Sequence, residues 1–252
     1  MQTFFDFKFA WEILPALLEA SLKTIGITLV AFCIALVLGL LLAVLRRSHA
    51  RFLSWPATMV IEFIRSTPLL IQLYFLYYVM PEFGLTLTAL TAGTIGIALH
   101  YSCYVAEVYR AGLDGLPRGQ WEASKALSIA PLQAYRRIIM PQAIRPIIPA
   151  LGNYLVAMFK DTPILSAITV VELMLQAKNI GSQSFRYLEP ITMAGLFFLL
   201  ISITVALLVR RLEGALQMPT FKPKEPQPEQ NKPKENGPTE NQSQQNLVKE
   251  NT

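Results

Sequence analysis

Charged side chains occur inside two of the long apolar stretches of the chain. Glu62 and Arg65 lie in one of them, and Lys160 and Asp161 lie near the centre of another. A charged group in hydrocarbon is costly, so residues of this kind pair with one another or line a polar pathway. The chemistry that they indicate is therefore the binding of a polar solute along a path through a membrane.

Spacing decides how these charges can act. Glu62 and Arg65 are three residues apart, so on a helix they share a face and can pair. Such a pair is either a neutralised structural element or a solute contact. The adjacent side chains of Lys160 and Asp161 diverge by about 100° on a helix, so one can bind solute while the other pairs elsewhere.

Three uncharged polar residues in the apolar stretches have two possible roles each. Gln72 and Asn153 are candidates for the same path, although lone polar groups in such helices often only bond a neighbouring helix. His100 is interpreted as a helix-packing histidine rather than a proton relay.

The composition is that of a membrane protein. Of 252 residues, 53% are hydrophobic and 15% are charged, and the mean hydropathy is +0.40. Soluble domains carry about 25% charged residues. This deficit excludes a disordered chain and argues against an ordinary soluble enzyme.

The stretches with few charges predict an all-α membrane protein with five transmembrane helices. Residues 25–45 contain no charge and extend over about 31 Å as a helix, enough to cross the hydrocarbon core. The five predicted spans are residues 25–45, 52–80, 85–106, 146–171 and 191–209.

The distribution of Lys and Arg predicts the topology. Most of the Lys and Arg residues that adjoin the spans lie in residues 46–51, 107–145 and 210–211. These three segments share one side of the membrane if the N-terminus is outside. Positive residues favour the cytoplasmic side, so we expect an N-out, C-in topology. Because the basic residues adjoin apolar spans, a pI near 9.2 does not indicate a nucleic-acid partner.

The chain divides into three predicted segments. Residues 1–20 form an extracytoplasmic interfacial segment, with a short helix over residues 11–19. Residues 21–217 form the transmembrane domain. Residues 218–252 are rich in Pro, Lys, Glu, Asn and Gln and predict a disordered cytoplasmic tail. Cys33 and Cys103 lie in apolar runs, which predicts neither a disulfide nor a metal site.

The polar segment of residues 110–145 is the most informative part of the sequence. Residues 120–127 contain good helix formers, and a second helix begins at Pro131. Two short helices joined by a turn on the cytoplasmic side suit docking into a groove of a soluble partner.

This segment resembles the EAA loop of permease subunits from bacterial ATP-binding-cassette importers. The family pattern is Glu-Ala-Ala, three residues, Gly, nine residues, Ile, one residue, Leu-Pro. Glu122, Ala123, Ile138 and Pro141 match it, whereas Ser124, Ser128 and Met140 replace the second Ala, the Gly and the Leu. A Ser residue at the turn can adopt a type I conformation in place of the usual Gly.

Other segments are similar to the polar amino-acid branch of these permeases, and the resemblance covers residues 10–217. Residues 99–104 and 153–160 look most similar to permeases for ectoine and hydroxyectoine. The segments that resemble the branch are residues 65–73, 104–112, 116–120 and 160–166.

The resemblance implies a permease in the bacterial inner membrane. It would work with an ABC ATPase subunit, an identical or related second permease, and an extracytoplasmic solute-binding protein. The chain has no phosphate-binding loop, so ATP and magnesium belong to the partner, and no cofactor is expected here. The cargo would be ectoine, hydroxyectoine or a similar zwitterion, or alternatively Glu, Gln, His or Arg.

The resemblance also implies roles for the two sets of residues. A zwitterion carries both charges, which suits a path containing a carboxylate and a basic group. Glu122 would pair with a basic residue of the ATPase, or alternatively cap its own helix. The residues that would couple to the ATPase are Gly119, Glu122, Ala123, Ser124, Ser128, Ile138 and Pro141.

Two other functions compete with this one. An intramembrane enzyme needs a nucleophile with a base, or metal ligands, but His49 and His100 are the only histidines and do not share a span. A channel or signalling anchor accounts for the spans and the basic loops. It gives no reason for the two-helix docking segment.

Overall fold

The computed structural model describes residues 5–215, and all regular secondary structure in that part is helical. The predicted tail of residues 218–252 lies outside the described residues. The helices are α1 (Phe7–Arg46), α2 (Arg51–Ser66), α3 (Leu69–Tyr74), α4 (Ala89–Asp114), α5 (Arg118–Ala126), α6 (Pro131–Ala134), α7 (Met140–Asp161), α8 (Leu173–Ser184) and α9 (Leu188–Ala215).

The first helix is longer than its predicted span. α1 has 40 residues and begins after Asp6, whose carboxylate accepts hydrogen bonds from the backbone N–H groups of Lys8 and Phe9 at 3.0 and 3.2 Å. This N-cap satisfies donors that the first helical turn leaves free. The separate short helix predicted for residues 11–19 is therefore wrong, because these residues continue directly into the apolar part of α1.

The predicted span of residues 52–80 is broken rather than straight. α2 ends at Ser66, and α3 with its short continuation to Phe83 follows at 107° to it. The break occurs at Thr67 and Pro68, which have extended backbone conformations. Proline disfavours helical conformation in the preceding residue and lacks the N–H that a continuing helix requires.

The predicted span of residues 146–171 is also interrupted. α7 ends at Asp161, a 3₁₀ helix follows over Thr162–Ile168, and α8 continues at 48° to the preceding segment. The break follows Lys160 and Asp161, where the sequence indicated an interruption.

Within residues 5–215, three helices are long and apolar enough to cross a membrane as they stand, namely α1, α4 and α9 without its last residue. The two bent pairs pass the same test only when each is taken as one span.

The core forms where α1 and α4 pack closely together. A Cβ atom added to Gly39 of α1 would lie 2.6 Å from Cγ1 of Val105 in α4, so only glycine permits this approach. Buried side chains from α1, α3, α4 and α7 form one apolar cluster that includes Ala35, Leu73, Ile97 and Met158. This cluster holds the broken helices against α4.

Candidate functional site

A cluster of aromatic side chains joins α4 to α7 beside the charged residues of the apolar stretches. The Tyr101 hydroxyl donates a hydrogen bond to Oδ2 of Asp161 at 2.6 Å. The Tyr154 ring lies 6.2 Å from the Tyr101 ring and 5.7 Å from the Tyr104 ring, measured between centroids. These three tyrosines with Asp161 are called the tyrosine cluster below.

Arg65 reaches the same cluster from α2. Its guanidinium carbon lies 5.4 Å from the centroid of the Tyr104 ring, a cation–π contact. Glu62 lies on the same helix face, with Oε1 at 4.0 Å from Nη1 of Arg65 and 3.4 Å from Nη2 of Arg46. The predicted pairing of Glu62 with Arg65 is therefore present as a long contact, and Glu62 is shared with α1.

Ion pairs connect the adjoining ends of α1 and α4. Glu107 in α4 pairs with Arg46, and it also accepts a hydrogen bond from Arg110 at 2.8 Å. Asp114 pairs with Arg47 at 2.5 Å and with Arg110 at 3.1 Å. The pairs of Arg46 and Arg47 cross between the helices and hold these two ends together, whereas the pairs of Arg110 lie within α4.

Lys160 and Asn153 lie on α7 and are both exposed within the described chain. Among the described residues, no carboxylate lies within 4.0 Å of the Lys160 ammonium. Its side chain lines a groove of about 440 Å³ between α7 and α9. Adjacent Asp161 instead contacts Tyr101, so the two side chains diverge as their spacing predicts.

Gln72 uses both ends of its amide within the protein. Its Nε2 donates to the backbone oxygen of Ile64 at 2.7 Å and to that of Thr67 at 3.1 Å. Its Oε1 lies 3.2 Å from Nδ1 of His100. Gln72 therefore links the α2–α3 break to α4. This is the bonding to a neighbouring helix that the sequence analysis gave as the alternative to a place in the solute path.

The tyrosines were not predicted as site residues. Tyr101 and Tyr104 are three apart on α4 and therefore share one helix face. Both lie in residues 99–104, and Tyr154 lies in residues 153–160, the segments with the most specific resemblance. The spacing of aromatic residues within these segments is the signal that would have found the cluster.

The segment between α4 and α7 has the predicted two short helices. α5 ends in a turn in which the N–H of Ser128 donates to the Lys125 oxygen at 2.9 Å and the N–H of Ile129 donates to the Ser124 oxygen at 3.0 Å. Ser128 has φ of +51°, in the left-handed region that glycine usually occupies at this position. The expected type I conformation of Ser128 is therefore wrong.

The side chains of this segment divide into anchored and exposed sets. Ser124 is buried, and its hydroxyl donates to the Gln120 oxygen at 2.7 Å. Glu122 is exposed and makes no helix-capping hydrogen bond within the described chain. Leu127 and Leu132 are 72% and 69% exposed. The carboxylate and these apolar side chains are therefore free for contact with another protein.

The remaining predicted coupling residues lie on α5 and at the junction with α7. Gly119 and Ala123 are exposed on α5, Ile138 is half-buried, and Pro141 opens α7. Gln142 on α7 donates to Oε1 of Gln120 on α5 at 3.2 Å. This bond fixes the segment to the start of α7, the helix that ends at Asp161.

No group of three or more His, Cys, Asp or Glu residues able to hold a metal ion occurs within residues 5–215.

Comparison with known proteins identifies the family. The sequence model of one protein family, the binding-protein-dependent transport system inner membrane component, matches residues 35–217. The chain belongs to this family. It is a permease subunit of a multi-pass inner membrane system, as the sequence resemblance predicted, and the ATPase of such systems is a separate subunit.

Similar permeases come from several bacteria. The probable amino-acid ABC transporter permease protein y4tG of Sinorhizobium fredii is 46% identical over 205 residues, which are 81% of this chain and 89% of that protein. The L-cystine transport system permease protein TcyB of Bacillus subtilis is 33% identical over 204 residues, covering 79% and 87% of the two chains.

A solved structure has the same fold as this permease. The crystal structure of an amino acid ABC transporter with histidines superimposes with a TM-score of 0.81 at 34% identity, covering 84% of this chain and all of that chain. The MetNI methionine ABC transporter, at 20% identity and a TM-score of 0.62, shares the fold.

Proposed function

We propose that this permease lines the path of an ATP-driven importer for a small zwitterionic solute of the amino-acid class. The observation that carries the proposal is the placing of opposite charges around one aromatic cluster. Asp161 accepts a hydrogen bond from Tyr101, and Arg65 lies over Tyr104. The two tyrosine rings are 6.1 Å apart between centroids.

The two charged groups match the two ends of a zwitterion. A guanidinium binds a carboxylate through two parallel hydrogen bonds, which suits Arg65 to a solute carboxylate. The Asp161 carboxylate accepts several hydrogen bonds, so its bond from Tyr101 leaves capacity for a solute ammonium. Glu62, Lys160, Asn153 and Gln72 complete the path as neighbouring polar groups.

A polar amino acid is the cargo that we favour. Several similar permeases are named for amino acids, L-cystine or glutamine. Ectoine or hydroxyectoine is the second candidate, because residues 99–104 and 153–160 contribute Tyr101, Tyr104 and Tyr154 to the cluster. A tyrosine-lined site also suits a cyclic cation through its ring faces.

The path requires five crossings with the N-terminus outside. α1, α4 and α9 each supply one crossing, and each bent pair supplies another. In this topology Arg46, Arg47 and the α5–α6 segment face the cytoplasm, in agreement with the bias of positive residues. Single cysteines introduced at Lys8 and Arg118, after Cys33 and Cys103 are replaced by serine, test it, since an impermeant thiol reagent added outside should label only the first.

The α5–α6 segment is the proposed contact with the ABC ATPase. Glu122, Leu127 and Leu132 provide an exposed acidic and apolar surface, and the bond from Gln142 to Gln120 connects this surface to α7. Movement of the ATPase would thus reach the helix that carries Asp161. A second permease, identical or related, and an extracytoplasmic binding protein complete the importer.

Reconstituted uptake tests the function. The permease, the ATPase and the binding protein encoded beside it are placed in liposomes, and ATP-driven accumulation is measured for labelled Glu, Gln, His, Arg, cystine and ectoine. We expect saturable uptake of at least one zwitterion that requires ATP. Equal accumulation without ATP would contradict the proposal.

A further inference from the structure

The break between α2 and α3 deprives the backbone carbonyl of Ile64 of its helical donor. In a continuous helix the Ile64 oxygen would accept from the N–H of residue 68, but Pro68 has no N–H. The N–H of Thr67 reaches the Ile64 oxygen only at 3.4 Å. The Thr67 hydroxyl lies 3.2 Å from the same oxygen but 3.1 Å from the Phe63 oxygen, so its one proton serves two carbonyls. A carbonyl in a membrane-embedded helix requires another donor.

Gln72, in α3 just after the break, supplies this donor. Its Nε2 lies 2.7 Å from the Ile64 oxygen, 3.1 Å from the Thr67 oxygen and 2.8 Å from Oγ1 of Thr67. Two of these three partners are carbonyls, which only accept hydrogen bonds. The amide orientation is therefore fixed, with the NH₂ group towards the break and the oxygen away from it.

The fixed amide determines which His100 nitrogen carries the proton. Oε1 of Gln72 only accepts, so Nδ1 of His100 at 3.2 Å must be the donor. In the neutral ring, Nε2 is then an acceptor. Within the described residues Nε2 has no hydrogen-bond partner. In that part of the chain, every buried side-chain N or O atom except Oγ of Ser202 has a hydrogen-bond partner. Since Nε2 of His100 has no partner, it is not one of the buried atoms and is accessible.

The His100 ring adjoins the tyrosine cluster. Its centroid lies 5.5 Å from that of Tyr101 and 5.2 Å from that of Tyr104. An acceptor nitrogen at this position complements an N–H donor of a bound solute.

We propose that Gln72 is a positioning residue that joins the α2–α3 break to His100 and holds His100 in the Nδ1–H tautomer. This arrangement keeps Nε2 as an accessible acceptor beside the tyrosine cluster. The use of that acceptor in transport rests on the proposed function, whereas the tautomer does not.

Nitrogen NMR tests the tautomer directly. The permease is labelled with ¹⁵N-histidine, purified through a tag without histidines, and assembled with its unlabelled ATPase. The chain has two histidines, and exposed His49 serves as the internal reference for exchanging tautomers. A His49→Gln variant assigns the signals. We expect His100 to be protonated at Nδ1 and unprotonated at Nε2.

Gln72→Leu should remove this bias, so that His100 resembles His49. The matched control is Gln176→Leu in α8, where the replaced amide makes no side-chain hydrogen bond within the described chain. Protonation of Nε2 in the unmodified protein would overturn the proposal, as would an Nδ1–H form that persists in Gln72→Leu. Because the spectrum requires no transport, its failure is distinguishable from failure of the uptake assay.

Discussion

The Tyr101 hydroxyl lies 2.6 Å from Oδ2 of Asp161, and this hydrogen bond joins the middle of α4 to the last residue of α7. α7 also begins beside the α5–α6 segment, to which Gln142 connects it. One helix therefore extends from the proposed ATPase contact to the proposed solute site. Such an arrangement allows a movement at one end to alter the other.

Asp161→Asn should lower the rate of ATP-driven uptake at least about 10-fold, because a hydrogen bond to a charged group is worth about 1.5–3 kcal/mol. Initial uptake rates in liposomes measure the effect. Glu19→Gln, an exposed carboxylate paired with Lys23 one turn further along α1, is the control and should retain most of the uptake. Equal rates in the two variants would remove Asp161 from the path.

Tyr101→Phe should lower uptake by less than Asp161→Asn, because it removes one hydrogen bond and keeps both the ring and the carboxylate. The control is Tyr187→Phe, which alters an exposed tyrosine between α8 and α9. Rates are compared at equal amounts of permease in the liposomes. A larger loss in Tyr187→Phe than in Tyr101→Phe would contradict this role of the hydroxyl.

Arg65→Lys should raise KM for the zwitterion by about 10-fold, since a bidentate contact worth about 1.5 kcal/mol becomes a single point contact. Arg51→Lys at the start of α2 is the matched control, because Arg51 has no ion pair within the described chain. Concentration series of uptake give KM and the maximal rate separately. An unchanged KM in Arg65→Lys would assign Arg65 to structure alone.

Glu122→Lys should abolish most uptake while membrane insertion stays normal, because the reversed charge opposes the proposed ATPase contact. Uptake and the amount of permease in the membrane are measured together. Glu82→Lys, an exposed acidic residue before α4, is the control. Normal uptake in Glu122→Lys would count against a coupling role.

Ser128→Gly should stabilise the turn after α5 by about 1 kcal/mol, since an L-residue in the left-handed conformation costs roughly that much. Hydrogen exchange at the Ser128 and Ile129 amides should then slow about fivefold. Ser182→Gly inside α8 is the opposite case, where glycine weakens a helix and exchange should become faster. Faster exchange at the α5 turn in Ser128→Gly would contradict the claim that the left-handed conformation of Ser128 is strained.

Much of the helix pattern could be predicted from the sequence, because uncharged stretches of span length have few alternatives in a membrane. The interruption after Asp161 could also be predicted from the charges and Pro163. The 107° break at Pro68 was not predicted, although proline gives the signal. Long apolar stretches alone do not distinguish one straight helix from two bent ones.

The tertiary contacts of the candidate site could not be predicted. Sequence spacing places Tyr101 and Tyr104 on one face of α4, but it does not say that Asp161 of α7 packs against that face. The left-handed Ser128 was missed for a different reason. Serine rarely adopts this conformation, and here the two hydrogen bonds that close the turn impose it.

The most direct test of the account is ATP-driven uptake into liposomes that contain the permease with its ATPase and binding protein. Labelled Glu, Gln, His, Arg, cystine and ectoine are compared for the unmodified permease and for Asp161→Asn. We expect ATP-dependent uptake of a zwitterion that falls at least about 10-fold in the variant. Uptake of none of these solutes, or equal uptake by both proteins, would contradict the central claim that this permease imports a zwitterion past Asp161.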